Sequence, residues 1–249
     1  MKQKIKIGII LGVEFLAITV ILALIFFAGK KTYKDAIEKA KENYKQQLQE
    51  HPEQAAELKK KLDAKAISQD ELVSRGEYFS AKLMAAFLGF QFIDAADWIK
   101  FNFDGTVDQE ATYEALQDKV VQGIGAVIPG FYGLMPDGHI RTFSRGGSDI
   151  TGALAAAALD ADVYENWTDV SGILMADPRI VKDPLPIPEV TYDELRELSY
   201  SGASVLHEDA IFPVREKNIP LNIRNTNEPD NPGTIIRESF DTNVDPNRF

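Results

Sequence analysis

An arginine, two glycines, a serine and an aspartate stand together in TFSRGGSDITG, residues 142–152. The glycines allow backbone N–H groups to approach a ligand, and Arg145 offers a two-pronged hydrogen bond to a carboxylate or phosphate. Asp149 would repel a bare phosphate but suits an ammonium group. The segment therefore favours a zwitterionic ligand, with the guanidinium on its carboxylate and Asp149 on its ammonium. The residues alone leave an alternative open, in which Ser148 or Asp149 only caps the next helix and the glycines only shape a turn.

Alternating helix and strand patterns from Glu71 onward would position this loop. Helices are predicted in ELVSRGEYFSAKLMAAFLGF (ending at Gly89), EATYEALQDKVVQG, SDITGALAAAALDA and TYDELRELSYSGASVLHEDAIFPVREKN, and strands in QFIDA, WIKFNF, GAVIPGF, HIRTF, DVYENWT and IPLNIRN. This alternation predicts an α/β fold, a mainly parallel sheet with helices on both faces. Because ligands bind beyond the C-terminal strand ends of such sheets, we expect the Arg145, Asp149, Thr168 and Asp169 loops on one rim.

The N-terminal residues carry a different pattern. Ile7 to Ala28 is nearly all apolar, interrupted by the charge of Glu14, and is long enough to cross a bilayer core of roughly 30 Å. We predict a transmembrane helix within residues 1–29; a cleaved signal peptide is the alternative. More lysines follow the run than precede it, which predicts a cytoplasmic location for the remainder, anchored in the cytoplasmic membrane.

Three further segments complete the predicted organisation. Residues 30–70 are rich in Lys, Glu, Gln and Ala and predict a charged helical spacer, since their apolar positions are too sparse for a coiled coil. Residues 71–236 form the predicted α/β domain, and residues 237–249 a polar tail.

Composition narrows the function further. A net charge of −11 argues against a nucleic-acid partner, because a phosphate backbone would be repelled. The sequence has no cysteine, which excludes disulfides and thiol catalysis. Its three histidines lie far apart, so that no metal site is predicted from them. Assembly into homo-oligomers is left open.

Several ordered motifs resemble the catalytic domain of aspartate kinase, in the amino-acid kinase superfamily. They are TFSRGGSDITGALAAAALDADVYENWTDVSGILMADPRIV, ELSYSGASVLHEDAIFPV, IPLNIRNTN, SRGE (74–77) and PGFYG (129–133). The resemblance runs from about Val73 to Ile236. It implies a three-layer αβα sandwich that transfers the γ-phosphoryl group of ATP, with Mg²⁺, to the β-carboxylate of L-aspartate. That reaction is the first step towards lysine, threonine and methionine.

The resemblance also assigns site residues. It implies substrate binding by Glu77, Arg145, Ser148 and Asp149, with Arg145 and Asp149 catalytic, and nucleotide binding by Thr168, Asp169, Arg179, Gly130 and Gly133. From the residues alone, ordinary turns explain Thr168, Asp169 and the two glycines, and a solvated surface position explains Arg179.

Departures from the family pattern affect the expected activity. The family's opening Lys-Phe-Gly-Gly-Ser/Thr-Ser loop, which neutralises and cradles the transferring phosphoryl group, has only a superficial echo in KIGIIL (6–11). We therefore expect a sheet without the strands of its first half and impaired turnover, since losing one charge-stabilising group costs about 10²- to 10³-fold in rate. Ser204 stands where many relatives carry a lysine, and paired regulatory ACT domains are not expected from this chain. A non-catalytic membrane-anchored relative, a chimaeric fragment and, more weakly, a kinase of glutamate or uridylate are the alternatives.

Overall fold

The computed structural model describes residues 6–10, 68–176, 180–200 and 208–240. In chain order the elements are β1 (Lys6–Ile10), α1 (Gln69–Leu88), β2 (Gln91–Phe92), α2 (Ala95–Trp98), α3 (Gln109–Lys119), β3 (Ala126–Val127), β4 (Tyr132–Leu134), β5 (Ile140–Thr142), α4 (Gly147–Ala158), β6 (Val163–Thr168), β7 (Ile173–Leu174), β8 (Pro186–Ile187), β9 (Glu189–Thr191), α5 (Tyr192–Tyr200), α6 (Glu208–Glu216), β10 (Leu221–Asn225) and β11 (Thr234–Arg237). The chain divides into two compact units: residues 1–11 with 145–249, and residues 12–144.

The first unit is built on a five-stranded sheet with the order β1-β6-β10-β11-β9. Strand β6 pairs in parallel with both β1 and β10, and β11 pairs in parallel with β9. Only β10 and β11 run antiparallel within this sheet. The predicted mainly parallel α/β sheet is therefore confirmed.

One face of this sheet carries the core of the first unit. The strand residues Tyr164, Leu221 and Ile223 are buried there with Leu195 of α5 and Val214 of α6. The alanines of α4 are buried against the same core, and their small side chains let α4 pack closely along α6. Helices α4, α5 and α6 thus form one covering layer of the predicted sandwich.

The N-terminal residues correct two expectations. Residues 6–10 form β1, with Ile7 opposite Tyr164 and Ile10 opposite Trp167, so that the prediction of a membrane helix beginning at Ile7 is wrong at its start. Strand β1 takes up only the first residues of the long apolar run, and the β-branched isoleucines there favour a strand. Strand β1 also gives the sheet an opening strand, whereas the sequence predicted that the strands of the first half would be missing. Residues 11–28 and the spacer up to residue 67 lie outside the described part.

No helix in the described part of the chain is both long and apolar enough to cross a bilayer. The predicted cytoplasmic location stays a prediction.

Among the described residues of the second unit α1 comes first, and local chemistry sets its ends. The Ser68 side chain accepts a hydrogen bond from the backbone N–H of Glu71, and Gly89 ends the helix in a left-handed conformation with φ 66°. The predicted end at Gly89 is confirmed. Strands β2 and β3 then pair in parallel, whereas β4 and β5 form an antiparallel pair.

The strand predicted in WIKFNF is wrong. The Asp94 side chain caps a short helix, α2, by accepting from the N–H of Ala96, and this helix runs to Trp98. Lys100 and Phe101 form only isolated bridges. The cap therefore explains why Trp98, the first residue of WIKFNF, is helical, whereas Lys100 and Phe101 pair with other segments at single positions only.

Candidate functional site

The loop that carries SRGGSD leads directly into helix α4. Gly146 occupies the N-cap position with φ 59°, a left-handed conformation that favours glycine, and no side chain caps this helix end in the described structure. The interpretation of Ser148 or Asp149 as a mere N-cap is therefore wrong. Since the first N–H groups of a helix have no acceptor within it, this end of α4 is suited to a negatively charged group. Arg145 is exposed just before it, and Ser148 is half-buried in the first turn.

Asp149, in the first turn of α4, is held against strand β6. The side-chain amide of Asn166 donates to Asp149 Oδ1 at 2.7 Å, and the Tyr164 hydroxyl donates to the Asp149 carbonyl oxygen at 3.2 Å. Asn166 also donates to the Tyr164 oxygen at 3.1 Å. Burial, and then the nearby Asp149 carboxylate, raise the pKa of Tyr164 far above its usual range, so that its hydroxyl stays protonated.

The C-terminal end of β6 carries Thr168 and Asp169. The Thr168 hydroxyl donates to Asp169 Oδ1 at 3.2 Å, while the Thr168 carbonyl accepts from both the N–H and the hydroxyl of Thr226, beyond the end of β10. Because Asn166 lies two residues before Thr168, Asp149 and the Thr168–Asp169 turn lie at the same end of the sheet. The predicted common rim is confirmed for these residues, and Arg145 immediately precedes α4 at this end.

A second polar cluster holds the turn that follows Thr168. The buried Asn225 amide donates to the Ser171 hydroxyl at 2.7 Å, and that hydroxyl donates to Glu228 at 2.7 Å. The Asn225 side-chain oxygen accepts from the backbone N–H of Asn227 at 2.9 Å. The polar cluster therefore ties the loop after β6 to the loop after β10.

In the second unit, Glu77 is a buried carboxyl group on α1. Its side chain is 6% exposed, and it accepts a hydrogen bond from the backbone N–H of Gly130. Burial raises the pKa of Glu77 from 4.5 to about 7, although the Gly130 hydrogen bond opposes the shift. Its Oε2 atom is buried without a hydrogen-bond partner in the described structure. A buried acceptor of this kind is the group that a ligand N–H would satisfy.

Residues close in sequence to Glu77 and Gly130 form a cation–π cluster. The Arg75 guanidinium lies 4.7 Å from the centre of the Tyr78 ring and 5.7 Å from that of Tyr132. The Tyr132 hydroxyl donates to Asp94 at 2.6 Å, and burial together with Asp94 raises the pKa of Tyr132 well above its usual range. Phe131, between Gly130 and Tyr132, has φ 62°, which is uncommon for a bulky residue and marks a constrained loop.

With this geometry described, comparison with known proteins decides the family. The family model described as the amino acid kinase family matches residues 24–225. The chain belongs to the amino acid kinase family. The match begins within the predicted membrane helix and runs through the predicted spacer.

The chain is similar to several aspartokinases. It is 38% identical over 183 residues to aspartokinase 3 of Bacillus subtilis, covering 70% of this chain and 40% of that protein. The crystal structure of Clostridium acetobutylicum aspartate kinase matches at 44% identity with a TM-score of 0.69, covering 92% of this chain and 53% of that one. Aspartokinase III of E. coli, solved with aspartate and ADP, matches at 28% identity with a TM-score of 0.71, covering 94% of this chain and 57% of that one. The chain thus spans about half the length of these relatives.

The remaining predicted site residues have different outcomes. The substrate-binding residues predicted in SRGGSD lie in the first unit and Glu77 in the second. A side chain at Gly133 would collide with Ile99 and its carbonyl oxygen, so close packing explains this glycine, and a nucleotide role for it stays a prediction. The N–H of Gly130 donates to Glu77 rather than standing free for a phosphate. Arg179 and Ser204 lie outside the described residues.

Reasoning from the sequence missed Asn166, Tyr164 and Asn225. A signal was present in DVYENWT, because Tyr164, Asn166 and Thr168 alternate on one face of a strand and the middle one is an amide where an apolar residue is usual. Finding its partner required knowing that α4 lies above that face.

Proposed function

We propose that this chain carries the catalytic function of an aspartate kinase, transferring the γ-phosphoryl group of ATP to the β-carboxylate of L-aspartate to form aspartyl phosphate. One observation carries the proposal: strand β6 links Asp149, through Asn166, to the Thr168–Asp169 turn two residues further on. A phosphoryl transferase needs its acceptor and its nucleotide close together in this way. The E. coli relative solved with aspartate and ADP supports the same pair of ligands. The product would enter the synthesis of lysine, threonine and methionine.

Acceptor binding follows from the charges at the start of α4. The exposed Arg145 guanidinium is proposed to bind a carboxylate of L-aspartate, and Asp149 its ammonium group. Ser148 adds a hydroxyl in the first turn, beside the N–H groups of the helix end. For Glu77 we propose substrate binding through its unpaired Oε2 atom.

Nucleotide binding is proposed for the turn after β6. Thr168 and Asp169 offer a hydroxyl and an exposed carboxylate suited to the ribose and adenine edge, and Arg179 is proposed to approach the phosphates. Gly130 and Gly133 are retained as proposed phosphate neighbours on the resemblance alone. The described residues contain no group of three or more His, Cys, Asp or Glu side chains that could hold a metal ion. Mg²⁺ is proposed to bind together with the nucleotide. When bound, Mg²⁺ would offset negative charge on the phosphate groups.

The proposed reaction balances without a proton acceptor on the protein. An oxygen of the ionised β-carboxylate forms the new bond to the γ-phosphorus, and the bond from that phosphorus to the bridging oxygen of ADP breaks. The electron pair of that bond leaves with ADP. The protein's task is therefore to orient two anions and to offset their charge.

Turnover by this sequence alone is proposed to be slow. Strand β1 supplies an opening strand, but Lys6 is followed by Ile-Gly-Ile-Ile rather than by the paired glycines and hydroxyl residues of the family loop. Loss of a preorganised phosphate cradle predicts a rate at least about a hundredfold below that of an intact relative. A non-catalytic relative that binds aspartate or nucleotide is the second candidate, and the same missing loop favours it.

Two measurements test the proposal on the full chain. An aspartyl hydroxamate assay should show slow product formation that requires L-aspartate and ATP, and calorimetry should show aspartate binding. Arg145→Ala should weaken that binding by about tenfold or more, the loss typical for a hydrogen bond to a charged group. Arg196→Ala, an exposed arginine on α5, is the matched control and should bind like wild type.

The possible outcomes separate the candidates. Binding without product supports the non-catalytic relative, whereas turnover at the rate of an intact relative would show that the argument from the missing loop is wrong. Failure of the wild-type chain to bind L-aspartate, or binding unchanged in Arg145→Ala, would reject the zwitterion site.

A further inference from the structure

A buried asparagine in the middle of the sheet requires an explanation. Asn166 is 1% exposed and lies in β6, opposite Ile9 of β1 and Ile223 of β10. An amide buried at such a position is costly unless its hydrogen bonds are made, and a β-branched apolar residue is the usual occupant. Its presence therefore points to a task that an apolar side chain could not perform.

The hydrogen bonds of Asn166 form a directed chain that ends on Asp149. One N–H of the amide donates to Asp149 Oδ1 at 2.7 Å, and the amide nitrogen also donates to the Tyr164 hydroxyl oxygen at 3.1 Å. That hydroxyl in turn donates to the backbone carbonyl of Asp149 at 3.2 Å. The carboxylate and the carbonyl of one residue are thus both held from β6. Only the nitrogen of the amide can donate to a carboxylate, which fixes the orientation of the Asn166 side chain.

We infer that Asn166 is a positioning residue, which holds the Asp149 carboxylate in the orientation that receives the ammonium group of L-aspartate. This inference rests on the proposed function. The amide supplies a hydrogen bond to the carboxylate without adding charge, so that Asp149 keeps its attraction for an ammonium. A rigidly held carboxylate also loses less side-chain entropy when the ligand binds. Tyr164 shares the task through the backbone of the same residue.

The test replaces Asn166 by leucine, a side chain of similar shape without a donor, in the full chain. Asn166→Leu should raise KM and the calorimetric Kd for L-aspartate about ten- to a hundredfold, the range expected for losing a hydrogen bond to a charged group. KM for ATP should change less than about twofold. Tyr164→Phe, which removes only the hydroxyl, should weaken aspartate binding in the same direction by a smaller factor. Asn222→Leu, the same substitution on neighbouring β10, is the control and should behave like wild type.

A double variant distinguishes positioning from a general structural role. If Asn166 acts through Asp149, adding Asn166→Leu to Asp149→Asn should cause no further loss of aspartate affinity. Additive losses, equal losses for aspartate and ATP, or wild-type affinity in a folded Asn166→Leu would each overturn the inference. If Asn166→Leu fails to fold, Tyr164→Phe decides: selective weakening of aspartate binding supports the inference and unchanged binding overturns it. A wild-type chain that binds no aspartate would instead refute the proposed function, and this inference with it.

Discussion

Glu77 makes the stability of the protein depend on pH in a direction that can be measured. Burial raises the pKa of its carboxyl from 4.5 to about 7, so that the folded chain holds the proton over a range where the unfolded chain has released it. The unfolded state therefore gains an advantage as pH rises from about 4.5 to 7, and the full penalty is present above pH 7. Replacing Glu77 by glutamine, a neutral group of the same shape, should remove this penalty.

The size of the effect follows from the two pKa values. A shift from 4.5 to about 7 corresponds to about 3 kcal/mol in the free energy of unfolding at pH 8, and to less than about 1 kcal/mol at pH 5. Because the side chain is almost fully buried, solvent screening reduces this value little. The glutamine carbonyl can still accept from the Gly130 N–H, and its amide leaves one buried polar atom unpaired, as Oε2 is in the wild type.

Urea unfolding of the full chain at pH 5 and pH 8, at constant ionic strength, measures the effect. Glu77→Gln should be more stable than wild type by about 3 kcal/mol at pH 8 and nearly equal to it at pH 5. Glu114→Gln, an exposed glutamate on α3, controls for loss of a negative charge and should show no such pH dependence.

Equal stabilisation by Glu77→Gln at both pH values would refute the reasoning, because a protonation effect must vary across the pKa. Destabilisation at pH 8 would show that the ionised carboxylate is satisfied in the folded protein.

Three further substitutions test the packing and the nucleotide turn. Gly133→Ala should lower the free energy of unfolding by about 1–3 kcal/mol, because the added methyl meets Ile99; an unchanged urea midpoint would contradict this. Thr234→Val should lower the free energy of unfolding by about 1–3 kcal/mol in the same assay, because the buried hydroxyl accepts from the N–H of Ile173 and donates to the carbonyl of Ile187. An unchanged free energy would show that β7 and β8 do not need this hydroxyl. Asp169→Asn should raise KM for ATP about tenfold with aspartate affinity unchanged, and equal changes for both ligands would remove Asp169 from the nucleotide side.

Features whose causes are local could be predicted from the sequence. The end of α1 at Gly89 follows from a glycine that can adopt φ 66°, and the start of α4 follows from two glycines before an alanine-rich run. The ordered motifs likewise indicated the aspartate kinase resemblance, because they consist of particular residues in a particular order. The α/β alternation with a mainly parallel sheet was predictable for the same reason, since strand and helix periodicities are properties of short windows.

Features that depend on a partner distant in the chain were decided by the tertiary structure. Residues 6–10 are a strand because β6 provides hydrogen-bonding groups beside them, and β6 lies more than a hundred positions away. The strands predicted from the sequence end with IPLNIRN, but β11 follows it and continues the sheet beside β10 in the antiparallel direction. An apolar pattern predicts that a segment will be buried, but it does not predict which other segment will cover it.

The candidate site shows the same division at the level of single side chains. The sequence by itself determined which chemical groups are available. They are the guanidinium of Arg145, the carboxylates of Asp149 and Glu77, and the helix start within SRGGSD. Only the folded chain decided that Asn166 donates to Asp149 and that Glu77 is buried with one oxygen unpaired. Orientation and pKa depend on the groups within a few ångströms, and in this protein those groups come from other parts of the chain.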